Sequence, residues 1–262
     1  MKNNLSLVTA TYNSQKTIKK TLESVLDLVK EIVIIDNNST DQTVEIVKEY
    51  NAKIVNYKGK NLGRQYQKGI KNVNTEWVLV LDSDEYLSNE LYKELKNLFL
   101  NKKNLEKYDG YFISFQNHFL GKPINFGGEN YKMIRLFKKN KVIITSEKTH
   151  QKYLLKSKKV GYLKGKIFHH SYQNLCQTYK KFTYYGLEEA RKKLKKNEKI
   201  TLKKLFLYAP HMFYARFVKD RGYKDGLFRI PLDLGFAYME FLTYWSLLIL
   251  KLRKIFLINF IF

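Results

Sequence analysis

The 262-residue sequence contains a single cysteine, Cys176, and relatively few acidic residues: 24 Asp and Glu against 48 Lys and Arg. One cysteine excludes an internal disulfide framework and a cysteine-based zinc site, and it is typical of a protein in a reducing cytoplasm. The formal net charge of +24 favours a polyanionic partner, namely a nucleic acid, an anionic membrane or a phosphorylated substrate. Charge alone does not choose among them.

Several motifs and segment types are also absent from the sequence. It contains neither the dinucleotide-binding pattern GxGxxG nor the P-loop pattern, and no RNA- or DNA-binding motif, so we expect no nucleic-acid partner. The apolar run from Phe236 to Leu250 includes Glu240 and is shorter than the roughly 20 residues that cross a bilayer. The first residues lack the apolar core of a secretion signal. These features predict a cytoplasmic location.

The first hundred residues alternate strand and helix signals. Short apolar runs predict strands at 5–10, 31–36, 52–57 and 77–82. Apolar spacing and capping residues predict helices at 17–29, after a Ser39–Gln42 capping box, at 62–73 and at 88–101. Near-continuous apolar strands separated by helices indicate a parallel sheet covered on both faces. Right-handed crossovers place the carboxyl ends of such strands on one edge, where open α/β sheets bind ligands.

Three carboxylates, Asp82, Asp84 and Glu85, follow the fourth predicted strand. In Asp-Ser-Asp the two aspartates lie on the same side of an extended segment, and their oxygens suit Mg²⁺ or Mn²⁺. A helix N-terminus, which favours nearby acid, is the alternative explanation, with Ser88 and Glu90 beginning the next helix. That alternative explains Asp82 poorly, because several residues separate it from the helix.

Asp36 ends the second predicted strand just as Asp82 ends the fourth. We therefore expect both carboxylates on the same sheet edge, together with Thr11–Asn13 at the end of the first strand. A carboxylate at such an edge accepts hydrogen bonds from a ribose hydroxyl or a base N–H. Capping the following helix is the alternative role for Asp36, although Ser39 can fill it.

Three segments resemble the signature segments of family 2 glycosyltransferases in order and spacing: VTATYNSQKTIKKTLESV, EIVIIDNNSTDQTVEI and NTEWVLVLDSDE. Four later segments resemble one branch, the lipopolysaccharide core β-1,4-glucosyltransferase-like proteins: GYFISFQNHFLGK, RLFKK, IFHHSY and FVKDRGYKDG. The resemblance implies an α/β protein of GT-A fold, with a mainly parallel sheet, in residues 1–170. Residues 1–105 would form its nucleotide-sugar half and 106–170 its acceptor half. A basic, apolar helical C-terminal region follows at 171–262.

The resemblance also implies an inverting glycosyltransferase that uses a divalent cation, Mg²⁺ or Mn²⁺. The donor would be a nucleotide-diphospho-sugar, first of all a UDP-sugar, and the acceptor a membrane-linked glycan of lipopolysaccharide, lipooligosaccharide or another cell-surface type. By position in the family's segments, the nucleotide-sugar residues would be Thr9, Tyr12, Asp36, Gln67, Asp82 and Arg135. The metal residues would be Asp82, Asp84 and His169. A structural role is the alternative for His169.

The catalytic base is less well marked. An inverting transfer needs a base that takes the proton of the acceptor hydroxyl. The branch usually has Val-His-Glu where this chain has Thr149, His150 and Gln151, and a glutamine cannot act as a base. Glu147 and His150 are the candidates, with a structural role as the alternative for His150. Gln151 also leaves open a non-catalytic relative that binds a nucleotide-sugar or glycan without turnover.

The C-terminal region from Ser171 mixes apolar runs with Lys and Arg. Tyr and Trp beside basic residues suit an anionic membrane surface that carries a lipid-linked acceptor. We therefore expect helices that lie on the inner face of the cell membrane. Packing of these helices on the core or on a second subunit is the alternative.

Overall fold

The computed structural model describes residues 4–145 and 152–259, with side chains up to Arg253. The chain forms two compact units. The first contains the described parts of Met1–Gln116 and Tyr131–His169, and the second contains those of Asn117–Asn130 and His170–Phe262. Glu147, His150 and Gln151 lie outside the described residues.

Strands and helices alternate in the first part of unit one: β1 (Leu5–Thr11), α1 (Ile18–Glu23), β2 (Glu31–Asp36), α2 (Thr43–Glu49), β3 (Lys53–Asn56), α3 (Leu62–Lys71) and β4 (Trp77–Val80). β1 pairs in parallel with β2 and β4, and β2 pairs in parallel with β3. The strand order is therefore β3-β2-β1-β4. All four strands end at the same edge, as the sequence predicts.

The following elements are β5 (Glu85–Leu87), α4 (Asn89–Leu100), α5 (Lys102–Glu106), β6 (Gly110–Phe119), β7 (Lys122–Pro123), β8 (Lys132–Lys138), β9 (Val142–Ile144), β10 (Tyr153–Leu155) and β11 (Val160–Tyr172). β8 joins β4 antiparallel, and the sheet continues through β6 and β11 to β5. The predicted α/β fold is confirmed, with its parallel strands gathered at one side of the sheet.

The apolar strands are buried because helices cover both faces of the parallel part. Leu5 and Leu7 of β1 belong to one buried cluster with residues of α1 and α4. Val8, which points to the other face, packs in a second cluster with Tyr66 and Ile70 of α3. Full burial of each such aliphatic side chain contributes about 1.5–3 kcal/mol. Covering helices thus hold the sheet whose edge carries the acidic residues.

Two helix starts test the capping predictions. Ser88 begins α4 as predicted, since its Oγ accepts a hydrogen bond from the backbone N–H of Leu91 at 3.1 Å. The predicted Ser39–Gln42 capping box is wrong, because Gln42 makes no capping hydrogen bond. Asp41 accepts from the N–H of Thr43 instead, at 3.0 Å. Ser39 is thereby available to bond elsewhere.

The second unit is mainly helical: α6 (Leu175–Lys195), α7 (Leu202–Phe206), α8 (Tyr208–Tyr214), a π-helical turn (Ala215–Lys219) and α9 (Ile230–Asn259). α6 and α9 approach closely at Gly186, where a Cβ atom would lie 2.9 Å from the carbonyl oxygen of Met239. Across residues 4–145 and 152–259, we find no helix with the length and apolar character needed to cross a membrane.

A buried network of ion pairs joins the segment Asn117–Asn130 to the start of α9, within unit two. Arg229, which is fully buried, donates to Asp233 Oδ2 at 3.0 Å and to the carbonyl oxygen of Phe126 at 2.7 Å. Arg216 also bonds to Asp233, at 3.2 Å, and to Glu129. Each buried charge therefore has an opposite charge beside it, which burial of ions requires.

Glu198, between α6 and α7, gives a pH-dependent contribution to stability. It accepts hydrogen bonds from Lys204 Nζ at 2.8 Å and Lys193 Nζ at 3.1 Å. The bond from Lys204 is the main cause that lowers the pKa of Glu198 from 4.5 to about 2, against a smaller opposing effect of burial. A pKa lowered by folding stabilises the folded state above pH 4.5, and this contribution is lost as the pH falls through about 2.

We therefore expect Glu198→Gln to lower the free energy of unfolding by about 1 kcal/mol at neutral pH, because the site is partly solvated. The difference from the wild type should shrink as the medium is acidified. Urea unfolding of both proteins over a pH series measures it. Glu106→Gln, at an exposed position of α5, is the matched control. A pH-independent difference at Glu198 would contradict the assignment.

Candidate functional site

Polar residues meet at the carboxyl edge of the parallel strands. Thr11 is the last residue of β1 and lies in register with Asp36, the last residue of β2. Asp82 follows the end of β4 on the other side of β1. Since these strands are parallel, the three residues share one edge of the sheet. This is the edge at which open α/β sheets bind ligands.

Asp36 is buried and organises the loop after β2. Its Oδ1 accepts hydrogen bonds from the hydroxyls of Thr11 at 2.8 Å and Ser39 at 2.6 Å, and its Oδ2 accepts from the Ser39 N–H at 2.8 Å. Tyr12 next to it is 63% exposed. Thr9 is fully buried, and its hydroxyl has no hydrogen-bond partner among the described residues. Asp36 thus fixes the loop after β2, which a ligand at this edge of the sheet would contact.

Hydrogen bonds also tie the loop after β1 to the acidic segment. Asn13 adopts a left-handed conformation with φ 49°, which an asparagine tolerates in a turn. Its Oδ1 accepts from the N–H of Thr40 at 2.8 Å. The Ser14 hydroxyl donates to Ser83 Oγ at 2.9 Å, and the Thr21 hydroxyl donates to the Ser83 carbonyl at 3.1 Å. Ser83, between the two aspartates, is therefore fixed by the first loop and by α1.

Asp82 lies in a buried hydrogen-bonded cluster. The Tyr66 hydroxyl, from α3, donates to its Oδ1. Arg135 of β8 donates through Nη2 to Asp82 Oδ2 at 3.3 Å and to Glu85 Oε1 at 2.9 Å. The backbone N–H of Asp82 donates to Glu85 Oε2 at 2.9 Å. One guanidinium group thus holds two carboxyl groups of the acidic segment together.

Burial and Arg135 act in opposite directions on these two acids. Burial of Glu85 raises its pKa to about 8 and outweighs the lowering by Arg135. Burial also raises the pKa of Asp82, but Arg135 and the Tyr66 hydrogen bond outweigh it, and the net pKa is below the ordinary value. The negative charge of this cluster therefore rests first on Asp82.

Asp84 and His169 meet through strand pairing. β5 pairs antiparallel with β11, which places His169 opposite Glu85. As a result, His169 Nε2 lies 3.4 Å from Asp84 Oδ2, and both side chains are partly exposed. The family resemblance groups these two residues, and the structure places them side by side although they are far apart in the chain.

This pair fits part of a divalent cation site. Within the described residues, no group of three or more His, Cys, Asp and Glu side chains is arranged to hold a metal ion. Both oxygens of Asp82, the third predicted ligand, accept bonds from Tyr66 and Arg135. Mg²⁺ is usually held by one or two carboxylates, with substrate phosphates and waters completing its shell. Asp84 offers the carboxylate oxygens that Mg²⁺ or Mn²⁺ prefers, and His169 adds an imidazole nitrogen, which is a donor typical of transition metals rather than of Mg²⁺.

Two predicted nucleotide-sugar residues are engaged within the protein. Gln67 donates through Nε2 to the carbonyl oxygen of Ile144 at 2.6 Å, so its amide is directed to β9. Arg135 is almost fully buried, with its guanidinium 5.2 Å from the ring centre of Phe115 and 5.7 Å from that of Tyr153. Its Nε and Nη1 have no hydrogen-bond partner among the residues that the structure describes. The Arg135 side chain therefore lies inside the protein beside the acidic segment, and not on an open surface.

Tyr66 and Ser83 belong to the site but are not among the residues predicted from the sequence. Tyr66 precedes the predicted Gln67 on α3, and it points to the core and to Asp82. Ser83 stands between two residues that were predicted. A tyrosine in an apolar helix stripe needs a partner for its hydroxyl, and this need is the signal that could identify Tyr66. The predicted bases Glu147 and His150 lie outside the described residues.

Comparisons with known proteins add independent evidence. The family model named Glycosyl transferase family 2 matches residues 6–157. A Rickettsia typhi protein named as an uncharacterized glycosyltransferase is 29% identical over 263 residues, which cover 95% of this chain and 88% of that protein. Poly(ribitol-phosphate) β-N-acetylglucosaminyltransferase TarS of Staphylococcus aureus is 37% identical over 101 residues, which cover 34% of this chain and 18% of TarS.

One solved structure similar to the chain is that of S. aureus TarS residues 1–349 in complex with UDP. It aligns over 97% of this chain and 92% of that chain, with 17% sequence identity and a TM-score of 0.48.

Proposed function

The chain belongs to glycosyl transferase family 2, and on this premise we propose that it transfers a sugar from a nucleotide-diphospho-sugar, first of all a UDP-sugar, to a glycan acceptor with inversion. The observation that carries the proposal is the acidic segment at the strand edge, with Asp82 held by Tyr66 and Arg135 and Asp84 beside His169. The GT-A fold predicted from the sequence is confirmed by the family match together with the α/β sheet.

The nucleoside would bind over the loops after β1 and β2. The exposed ring of Tyr12 can stack on a base, because aromatic rings prefer offset contacts with other rings. Asp36 is a hydrogen-bond acceptor at this edge, and its carboxylate is held in place by Thr11 and Ser39. Thr9 lies beneath them in β1. Gln67 is directed to β9, so we propose for it an indirect role in positioning α3.

Asp84 and His169 would hold the divalent cation, and Asp82 would reach the cation or the ribose. Bound there, Mg²⁺ or Mn²⁺ would neutralise the charge of the nucleoside diphosphate leaving group. Tyr66 and Arg135 fix the orientation of Asp82, and Arg135 offsets the charge of the acids around it. Preorganised groups of this kind stabilise developing charge without reorganisation during the reaction.

The acceptor hydroxyl must lose a proton as it attacks the anomeric carbon. We propose Glu147 or His150 for this step, as the sequence predicts. If neither residue acts as a base, the alternative is that the chain binds a nucleotide-sugar or glycan without turnover, as a non-catalytic relative.

For the acceptor we propose a lipid-linked glycan, of the lipopolysaccharide or lipooligosaccharide type or another cell-surface type, met at the inner face of the cell membrane. TarS, by its name, acts on poly(ribitol-phosphate), which is a polyanion. The net charge of +24 is consistent with an acceptor or a surface that is likewise anionic.

A donor screen tests the proposed function. The full chain is incubated with UDP-, GDP-, CMP- and dTDP-sugars, with and without Mn²⁺, and the melting temperature and the released nucleotide are measured. We expect a UDP-sugar with Mn²⁺ to raise the melting temperature, because a ligand of the native state stabilises it, and to be hydrolysed slowly. No stabilisation by any donor would contradict the proposal. Stabilisation without hydrolysis or transfer to any glycan would identify the non-catalytic relative.

A further inference from the structure

A helical stretch of the second unit exposes apolar side chains. The stretch comprises α7, α8 and the π-helical turn Ala215–Lys219. Leu202 at its start is 74% exposed, and Val218 near its end is 43% exposed. We call its exposed large apolar residues the exposed apolar face: Leu202, Phe206, Leu207, Tyr214 and Val218. Leu202 and Phe206 are four positions apart, and so are Tyr214 and Val218, so the two members of each pair lie on the same side of the helical stretch.

The opposite side of the same stretch is packed. Leu205 is buried in a cluster with Tyr244 and Leu247 of α9. Trp245 donates through Nε1 to the carbonyl oxygen of Leu205 at 3.3 Å. Tyr208 contacts the Tyr244 ring edge-on at a centroid distance of 5.2 Å. Because the inner side is fixed in this way, the exposed apolar face belongs to a folded segment.

The charges of this stretch are divided in the same way. Lys204 pairs with Glu198 at 2.8 Å, and Arg216 pairs with Asp233 at 3.2 Å, both within unit two. Lys203 and Lys219 are exposed, and neither forms an ion pair with any residue that the structure describes. The positive charges of Lys203 and Lys219 therefore flank the exposed apolar face, with the exposed Asp220 next to Lys219, whereas the inward cations are paired with acids.

We propose that the exposed apolar face, together with Lys203 and Lys219, docks onto an anionic lipid bilayer. A helix that lies in a membrane interface buries an apolar side among the acyl chains and holds basic residues near the headgroups. Each Lys near an anionic surface adds to the attraction, and a Tyr such as Tyr214 suits the headgroup level. The proposal rests on the membrane-linked acceptor of the proposed function, and it names the surface that would bring the protein to that acceptor.

A second copy of this chain fits the surface less well. In a symmetric dimer the same patch meets itself, so the lysines of both copies would be brought close together. Protein interfaces are also depleted in Lys relative to the remaining surface. An anionic bilayer satisfies both the apolar side chains and the lysines.

Vesicle flotation of the full chain tests the proposal. The probes are vesicles of phosphatidylcholine alone, and vesicles with phosphatidylcholine and phosphatidylglycerol in roughly equal amounts. We expect the wild type to bind the anionic vesicles. Leu202→Asp should lower the partition coefficient about tenfold or more, since it replaces a Leu side chain that the bilayer would bury by a charge. Leu100→Asp is the matched control, because Leu100 is 75% exposed at the end of α4 and should not affect binding.

A second pair of variants separates the charge from the apolar contribution. Lys203→Glu with Lys219→Glu should weaken binding to the anionic vesicles, whereas Lys102→Glu with Lys103→Glu on α5 should have a much smaller effect. Circular dichroism melting shows that each variant is folded. Hydrolysis of the soluble donor without vesicles should be the same for the wild type and Leu202→Asp, so that a failure of the proposed function is seen separately from a failure of docking.

Three results would overturn the proposal. The first is a wild-type protein that does not float with anionic vesicles. The second is an equal loss of binding for Leu202→Asp and Leu100→Asp. The third is a wild-type dimer in light scattering that Leu202→Asp dissociates while flotation is unchanged, which would make a second copy the occupant of the exposed apolar face.

Discussion

Replacement of Asp84 by asparagine is expected to reduce donor turnover at least about a hundredfold, because a bound divalent ion contributes several kcal/mol of charge stabilisation. Asp84 lies at the sheet edge with one carboxylate oxygen 3.4 Å from His169 Nε2. Asparagine keeps the size of the side chain but loses the negative charge that a hard cation requires. His169→Gln removes the second donor of the pair and should also reduce turnover.

Measurement of Mn²⁺ binding separates a metal role from other effects on activity. Electron paramagnetic resonance of free Mn²⁺, titrated with protein in the presence of UDP, should show weaker binding for Asp84→Asn and for His169→Gln. Asp27→Asn is the matched control, since it removes an exposed carboxylate in the same unit. Melting temperatures close to that of the wild type would exclude unfolding as the cause.

A different pattern would contradict the metal assignment. If Asp84→Asn kept wild-type Mn²⁺ affinity and metal-dependent turnover, Asp84 would not be a ligand. If turnover fell while Mn²⁺ affinity was unchanged, Asp84 would act on the sugar or the acceptor instead.

The parallel part of the fold was predictable because its signals are local. β1, β2 and β4 are apolar runs that turn polar where the strand ends, so Thr11, Asp36 and Asp82 could be assigned to one edge from the sequence alone. Parallel pairing then follows from the helices between the strands. The same local signals identified Ser88 as the residue that begins α4.

Features that depend on contacts between residues far apart in the chain were harder to predict from the sequence. The end of α1 at Glu23, earlier than the predicted residue 29, is not marked by a Gly or Pro, and Leu28 and Val29 remain buried without helical structure. The meeting of His169 with Asp84 requires β5 to pair with β11, and only the family resemblance pointed to it.

Arg135 shows why side-chain roles need tertiary structure. In the sequence it is one cation in a basic segment, and contact with a diphosphate or an anionic acceptor was the natural expectation. Its position in the middle of β8 buries it, and burial of a guanidinium requires acids beside it. Asp82 and Glu85 are these acids, so we infer that Arg135 acts on the proposed donor site through them.

Arg135→Met is therefore expected to destabilise the protein by about 3–5 kcal/mol, because it leaves two acids in a buried site without their cation. Urea unfolding measures the loss. Lys132→Met is the matched control: it removes an exposed cation from the same strand and should change stability by no more than about 0.5 kcal/mol.

A double-mutant cycle with Glu85→Gln distinguishes the ion pair from lost packing. Glu85 is fully buried and bonds to Arg135 Nη2 at 2.9 Å. Glu85 is ionised in the wild type only above its pKa of about 8, so the cycle is measured above that pH; once Arg135 is methionine, a neutral glutamine should be tolerated better than a glutamate there, and the double variant should be less unstable than the sum of the single variants by about 1–3 kcal/mol. Additive effects of the two substitutions would show that Arg135 stabilises this region by packing against Phe115 and Tyr153 rather than by pairing with Glu85.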